Sequence, residues 1–287
     1  MKYSSEIKDK IITLYKSGMK MRDIADLLNL HYETVRRHIS KSSMPIFRGK
    51  VSAFIPIKND LKQLLIGSLL GDGSFCYYNK NKKNCYISIA HCMKQFEYLD
   101  YKKSILDNYG LGTPIKVSSY KDKRFKSAIY VECREKSRLH PIFTDIRDKY
   151  YDIPGYKRVN RDFVKDIDAL GLAIWYMDDG YVTKNSCIFS SCSFTLEEQH
   201  ILADILLEKF DLHFNLGKHD NSMYLQARDF PKFVNIIKPH VISSMQYKLI
   251  PYSKRVLNKS DELLESCDAN QQPSTPLTKC EGSETNS

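Results

Sequence analysis

The chain has 287 residues and carries 44 Lys and Arg against 34 Asp and Glu, a formal charge of +10 that suits a nucleic-acid surface. Residues 260–287 hold six acids and one base, a local −5, so residues 1–259 carry +15 and are more basic than the total suggests. No signal peptide or membrane-length apolar run is visible, and the eight cysteines (Cys76, Cys85, Cys92, Cys133, Cys187, Cys192, Cys267, Cys280) form no CxxC pair, which suits a reducing interior rather than a disulfide frame or zinc site.

Ser5–Ser17 reads as an amphipathic helix through Ile7, Ile11, Ile12, Leu14 and Tyr15, and Met21–Leu28 as a second with Ile24, Ala25 and Leu28 inward. Asn29 stands at a turn, where its residue type tolerates the left-handed conformation, and His31–Ser40 makes a third helix. Ala25, Asn29, Leu30 and Val35 fall where a helix-turn-helix needs a small residue, a turn residue and two core residues. With nine bases and five acids in residues 1–45, the segment resembles the DNA-binding helix-turn-helix of resolvases and transposases. That resemblance implies a unit over residues 1–42 whose recognition helix presents Tyr32, Glu33, Thr34, Arg36 and Arg37 to the major groove. Residues 43–57, with Pro45, Gly49 and Pro56, read as a linker lying along DNA through Arg48 and Lys50.

Two segments follow with almost no polar face, Leu65–Gly73 (LIGSLLGDG) and Leu172–Gly180 (LAIWYMDDG), and each stops on an acid followed by glycine. A buried apolar helix ending in a carboxylate is costly unless that carboxylate finds a partner. Gly67, Ser68 and Gly71, with Gly171 and Ala173, place small residues where two helix backbones can approach. If the helices lie side by side and parallel, Asp72 and Asp179 meet at their C-terminal ends. The free carbonyls and negative dipole ends there add to the carboxylates. Such an oxygen-only site favours Mg²⁺, for which Mn²⁺ can substitute, over zinc.

The context of each segment repeats. After Asp72-Gly73 come strand-like runs at Ser74–Tyr78 and Cys85–His91, a helix near Lys94–Tyr109, strands at Pro114–Tyr120 and Ser127–Cys133, and a helix over Glu135–Tyr150. After Asp179-Gly180 the order recurs: Tyr181–Lys184, Cys187–Cys192, Leu196–Phe210, His213–His219, Met223–Ala227 and Phe230–Ile237. The expected fold is α+β, with repeats over 58–157 and 158–257 and an acidic, disordered tail over 258–287.

Both segments resemble the LAGLIDADG motif, and the chain is similar over roughly residues 58–255 to single-chain, two-motif LAGLIDADG homing endonucleases. The resemblance implies two pseudo-symmetric αββαββα repeats whose antiparallel sheets form a saddle. Asp72 and Asp179 stand at the metal-binding eighth position of the motif, and the carbonyls of Gly71 and Asp178 are the implied helper ligands. Asp178 departs from the small residue expected there, so its side chain reads as a second-shell or surface group. Lys157 and Lys248, at equivalent points past the last helix of each half, are expected to stabilise phosphate or the transition state. His91 aligns with a water-organising position, and its second-half counterpart falls around Cys192–Phe194, so the two centres read as chemically unequal. Tyr78, Lys80, Lys82, Lys121, Lys123 and Arg124, with Lys184, Lys218, Gln226 and Arg228, are the candidate DNA contacts of the two halves.

Three functions compete: a site-specific DNA endonuclease making a double-strand break with 3′ overhangs, an RNA maturase that helps its own intron fold, and a regulator of the same fold. Retention of both acids disfavours the regulator strongly and the maturase moderately. No protein-splicing block stands at either end, which favours a free-standing or intron-encoded enzyme. The expected agent is a soluble, intracellular monomer acting on double-stranded DNA in a cytoplasm, nucleoid or organelle matrix, with intron RNA as a second partner.

Overall fold

The computed structural model describes residues 4–42, 55–78, 84–121, 129–151, 156–217 and 222–250. Lys80, Lys82, Lys123, Arg124, Lys218, residues 43–54 of the expected linker and the acidic tail lie outside these described residues.

Three short helices come first: α1 (Ser5–Lys16), α2 (Met21–Leu27) and α3 (Tyr32–Lys41). They bury Ile11, Tyr15, Met21, Ile24, Ala25, Val35 and Ile39 in a core of their own. The Ser4 side chain accepts from the Ile7 amide and starts α1, while His31 Nδ1 accepts from the Glu33 amide and starts α3. Between α2 and α3, Asn29 takes φ 50°, the left-handed conformation its short polar side chain tolerates.

The first repeat runs α4 (Asn59–Leu70), β1 (Ser74–Tyr77), β2 (Cys85–Cys92), α5 (Phe96–Asp107), β3 (Lys116–Lys121), β4 (Ile129–Lys136) and α6 (Pro141–Tyr150). A four-residue helix, α7 (Arg161–Val164), leads into the second: α8 (Ala169–Asp179), β5 (Gly180–Val182), β6 (Cys187–Phe189), α9 (Leu196–Phe210), β7 (Phe214–Leu216), β8 (Met223–Leu225) and α10 (Phe230–Ile237). Each repeat forms one antiparallel sheet, ordered β1-β2-β4-β3 and β5-β6-β8-β7. The helix expected from Glu135 starts only at Pro141. Residues up to Lys136 pair with β2, and proline disfavours helical backbone at the residue before it, so His140 stays extended and caps the helix that Pro141 opens.

Helices α4 and α8 are buried on every side, which is why neither shows a polar stripe. They lie parallel in one core shared by both repeats. At the N-terminal end Gln63 donates to the Asp166 carbonyl (2.8 Å) and accepts from the Asp168 amide (2.9 Å), while Lys62 pairs with Asp166. The Asp168 carboxylate caps α8 through the amides of Leu170 and Gly171. Further along, a Cβ built on Gly67 would stand 2.5 Å from the Gly171 carbonyl and 2.7 Å from Ile174 Cβ. Gly67 faces Ile174 and Gly71 faces Asp178, and both pairs share the offset that separates Asp72 from Asp179. Equivalent positions therefore cross on a local pseudo-twofold axis.

Candidate active site at the paired helix ends

The parallel seam delivers Asp72 and Asp179 to the same end of the molecule's core. Gly71 must lack a side chain, because a Cβ there would lie 2.4 Å from Asp178 Cβ and 2.5 Å from its Oδ2. The Asp178 side chain fills that space and reaches across the seam. Its side chain is wholly buried, so of the two sequence alternatives the exposed surface group is ruled out and a group lying behind the motif acids remains. Its Oδ2 accepts from the Asp72 amide at 3.2 Å; its Oδ1 accepts from the Tyr98 hydroxyl at 2.8 Å and from the Lys102 ammonium at 2.6 Å. Burial, then the Asp178 charge, push the Tyr98 hydroxyl well above its ordinary value, so it remains a donor.

His91, in β2, stands beside this pair. Its Nε2 lies 3.3 Å from Lys102 Nζ and its Nδ1 lies 3.3 Å from Asp72 Oδ2. Asp72 keeps 40% of its side-chain surface open although closely surrounded. Those surroundings push its carboxyl up, but the hydrogen bond from His91 and the nearby positive charge of Lys102 and Lys248 outweigh them and hold it at about 2. Asp179 behaves in the opposite way. Burial, then repulsion from Asp72 and Asp178, raise its carboxyl well above the ordinary range despite Lys157 and Lys248.

Both lysines named from the sequence reach helix ends. Lys157 Nζ donates to the carbonyls of Gly71 (2.5 Å) and Leu69 (3.2 Å), and Lys248 Nζ donates to the Asp178 carbonyl (2.9 Å). The two are equivalent, since each holds the carbonyl that precedes a motif acid. Cations at helix C-termini satisfy orphan carbonyls and oppose the dipole. Burial pulls the Lys157 ammonium below its ordinary value, only partly offset by Asp179, Asp72 and Asp178. Lys248 is 2% exposed and its backbone carbonyl is held by the Tyr176 hydroxyl.

Asp72, His91 and Asp178 each offer a ligand atom within 4.8 Å of the others. Lys102 already occupies His91 Nε2 and Asp178 Oδ1, so the demand for a cation falls instead between Asp72 and Asp179. None of the described residues hydrogen-bonds the Asp179 carboxylate, whose charge is opposed by two neighbouring acids. The carboxylates, with the second lone pairs of the Gly71 and Asp178 carbonyls that Lys157 and Lys248 hold, form a hard oxygen donor set that fits a divalent cation.

Family comparison agrees with this geometry. The model of the LAGLIDADG DNA endonuclease family matches residues 62–233, which span both repeats. The chain belongs to that family. It is similar to a probable intron-encoded endonuclease of Wickerhamomyces canadensis, 28% identical over 66% of this chain and 83% of that one. It is also similar to the cytochrome b mRNA maturase bI2 of Debaryomyces hansenii, 27% identical over 69% and 76% of the two chains. Among solved structures it resembles the homing endonuclease I-WcaI bound to its DNA recognition sequence. That match has a TM-score of 0.61 and 23% identity, covering 79% of this chain and 97% of that one, and it establishes the LAGLIDADG fold.

In the first LAGLIDADG sheet, Cys133 and Glu135 are buried beneath the helices, so alternation turns Tyr130, Glu132, Arg134 and Lys136 to the opposite face. Register adds Lys116 opposite Arg134 and Ser88 opposite Lys136, and places Tyr78 in the row of Ser74 and Cys76. Tyr78 is 75% exposed. Lys121 pairs with Ile129 in the helix-side row, at its solvent-exposed end. In the second sheet Gln226 continues the row of Tyr224 and donates to Asn215 Oδ1 at 3.4 Å. Lys184 is exposed between β5 and β6, and Arg228 is exposed beside Asp229. In α3, Arg37 is exposed, Thr34 half-buried, Arg36 paired with Glu33 at 2.6 Å, and Tyr32 packed against the three-helix core.

Sequence reasoning missed Lys102 and the sheet-face residues Lys116, Arg134 and Lys136. A signal for Lys102 existed: it falls on the stripe of Tyr98, Leu99, Ile105 and Leu106 that α5 buries. No helix among the described residues is long and apolar enough to cross a membrane.

Proposed function

We propose that this chain is a homing endonuclease that makes a divalent-metal-dependent double-strand break with 3′ overhangs in double-stranded DNA. The observation that carries the proposal is the pairing of Asp72 and Asp179 at the ends of parallel helices on a pseudo-twofold axis, which matches the antiparallel symmetry of a duplex's two strands. Asp72, Asp179 and the carbonyls of Gly71 and Asp178 would hold Mg²⁺, with Mn²⁺ as a substitute. The chemistry that bound ions supply is activation of water and neutralisation of charge at the phosphate. Lys157 and Lys248 position the carbonyls at the helix ends and add positive potential beneath the scissile phosphates. The outer sheet faces, with Tyr78, Lys184, Gln226 and Arg228, would follow the duplex as a monomer. The three-helix unit would dock α3 in the major groove through Thr34 and Arg37, Arg36 exchanging Glu33 for phosphate.

His91 serves as a donor to Asp72 rather than as a base toward water, because its Nε2 faces the Lys102 ammonium and its Nδ1 faces the Asp72 carboxylate. The test is to incubate the protein with Mg²⁺ and the intron-free allele of its own insertion locus and to sequence the ends. The proposal expects complementary 3′ overhangs that EDTA abolishes; intact DNA under the same conditions overturns it. Similarity to the bI2 maturase supports a second reading as an intron-folding factor, which RNA splicing in the absence of DNA cleavage would favour.

A further inference from the structure

The pseudo-twofold axis relates the two halves closely, yet one cluster has no counterpart. The stripe that α5 buries (Leu99, Lys102, Ile105, Leu106) matches the one α9 buries (Gln199, Leu202, Ile205, Leu206), so Lys102 corresponds to Leu202. Strand register pairs Ser74 with Ser88 and Gly180 with Phe189, which makes Ser191 the counterpart of His91, in place of the Cys192–Phe194 region expected from the sequence. Asp178 corresponds to Gly71. An acid, a lysine and a histidine in one arrangement thus become a glycine, a leucine and a serine in its mirror. The three occur together because a buried ammonium is tolerated only beside a carboxylate that neutralises it.

The donor inventory settles the imidazole. Lys102 Nζ has only donors, and it lies 2.6 Å from Asp178 Oδ1 and 3.3 Å from His91 Nε2. His91 Nε2 must therefore accept, which leaves the ring proton on Nδ1, the atom that faces Asp72 Oδ2. The ring is 1% exposed and tilts against Tyr98, with centroids 5.0 Å apart, so it has no room to turn. We infer that Lys102 is a positioning residue: by donating to His91 Nε2 it fixes the Nδ1–H tautomer, which holds the Asp72 carboxylate in one orientation, whereas Asp179 has no imidazole at the equivalent position. This inference rests on the endonuclease reading for its consequence, that the two strands meet differently prepared acids, but its geometry is independent of cleavage.

The experiment uses full-length protein labelled with ¹⁵N at histidine, with the His91 signals identified by their absence in His91→Gln. In the wild type the ring is expected to show a protonated Nδ1 and a bare Nε2; a protonated Nε2 or an averaged pattern overturns the inference. Removing the lysine alone would leave Asp178 buried and unpaired, so the partner variant is Lys102→Met with Asp178→Asn, in which both charges go. His91 is expected to leave the pure Nδ1–H form there; retention of that form shows that Lys102 does not set it. On DNA with Mg²⁺, the double variant is expected to accumulate nicked product through a roughly tenfold slower cut of one strand, the usual scale for a group that orients a metal-binding acid. Equal slowing of both strands contradicts the asymmetry. Absence of any cleavage by the wild type would count against the endonuclease reading alone, since the tautomer is read without substrate.

Discussion

Replacing Gly71 by alanine would drive a methyl group into the Asp178 side chain, 2.4 Å from its Cβ. Asp178 cannot retreat without losing Tyr98, Lys102 and the Asp72 amide. Gly71→Ala is expected to destabilise the fold by about 1–3 kcal/mol, the usual range for overpacking, as read by urea unfolding. A change below about 0.5 kcal/mol, the surface-substitution scale, would show that the seam has slack. Lys102→Met alone should cost about 3–5 kcal/mol because it strands a buried carboxylate, and Asp178→Asn added to it should recover most of that loss. Glu135 offers a test by pH. Burial raises its carboxyl despite the bonds it accepts from Thr113, so the folded state favours the protonated form. Glu135 then disfavours the folded state increasingly as pH rises from its unfolded value through its folded one. Glu135→Gln should be as stable as wild type or more so near neutrality, and that advantage should vanish near pH 4; a constant difference across pH would contradict the buried acid. Of these residues Gly71 was legible beforehand as a small residue in an apolar run, and Asp178 as an acid standing where a small residue is expected. Lys102 and Glu135 are charged side chains whose burial depends on partners distant in sequence.

The helices α4 and α8 were the clearest elements to read, because an all-round apolar face has no explanation except complete burial. Their close approach followed from Gly67 and Gly171, whose missing side chains let the backbones meet, while the parallel sense entered only as a condition for the two acids to coincide. Gly67→Ala should therefore weaken the joint between the halves more than an alanine on an exposed helix face would, and limited proteolysis of the variant should speed up. Strands were read well where alternation was clean, as in β2. The helix after β4 was misplaced by several residues because hydrogen bonding to β2 carries the strand to Lys136, a pairing no local pattern announces. The sheet faces were harder still. Lys116 and Arg134 become neighbours only through register, whereas hairpin-end lysines stand out in the sequence and drew the attention.

At the scale of the whole molecule, two separate cores accompany the two kinds of DNA contact proposed above. The three-helix unit buries its own residues, so deleting residues 1–42 should weaken or broaden DNA binding and flatten its salt dependence while leaving the cleavage chemistry in place. Loss of all cutting at saturating protein would contradict the division. The central claim is that Asp72 and Asp179 form one shared site that serves both strands. Its most direct measurement is linearisation of a supercoiled plasmid carrying the target, with Mg²⁺, by Asp72→Asn and by Asp179→Asn, alongside a gel-shift assay of the same DNA. Each variant is expected to bind and retard the DNA yet produce no linear product; linearisation at the wild-type rate by either one would contradict the shared site.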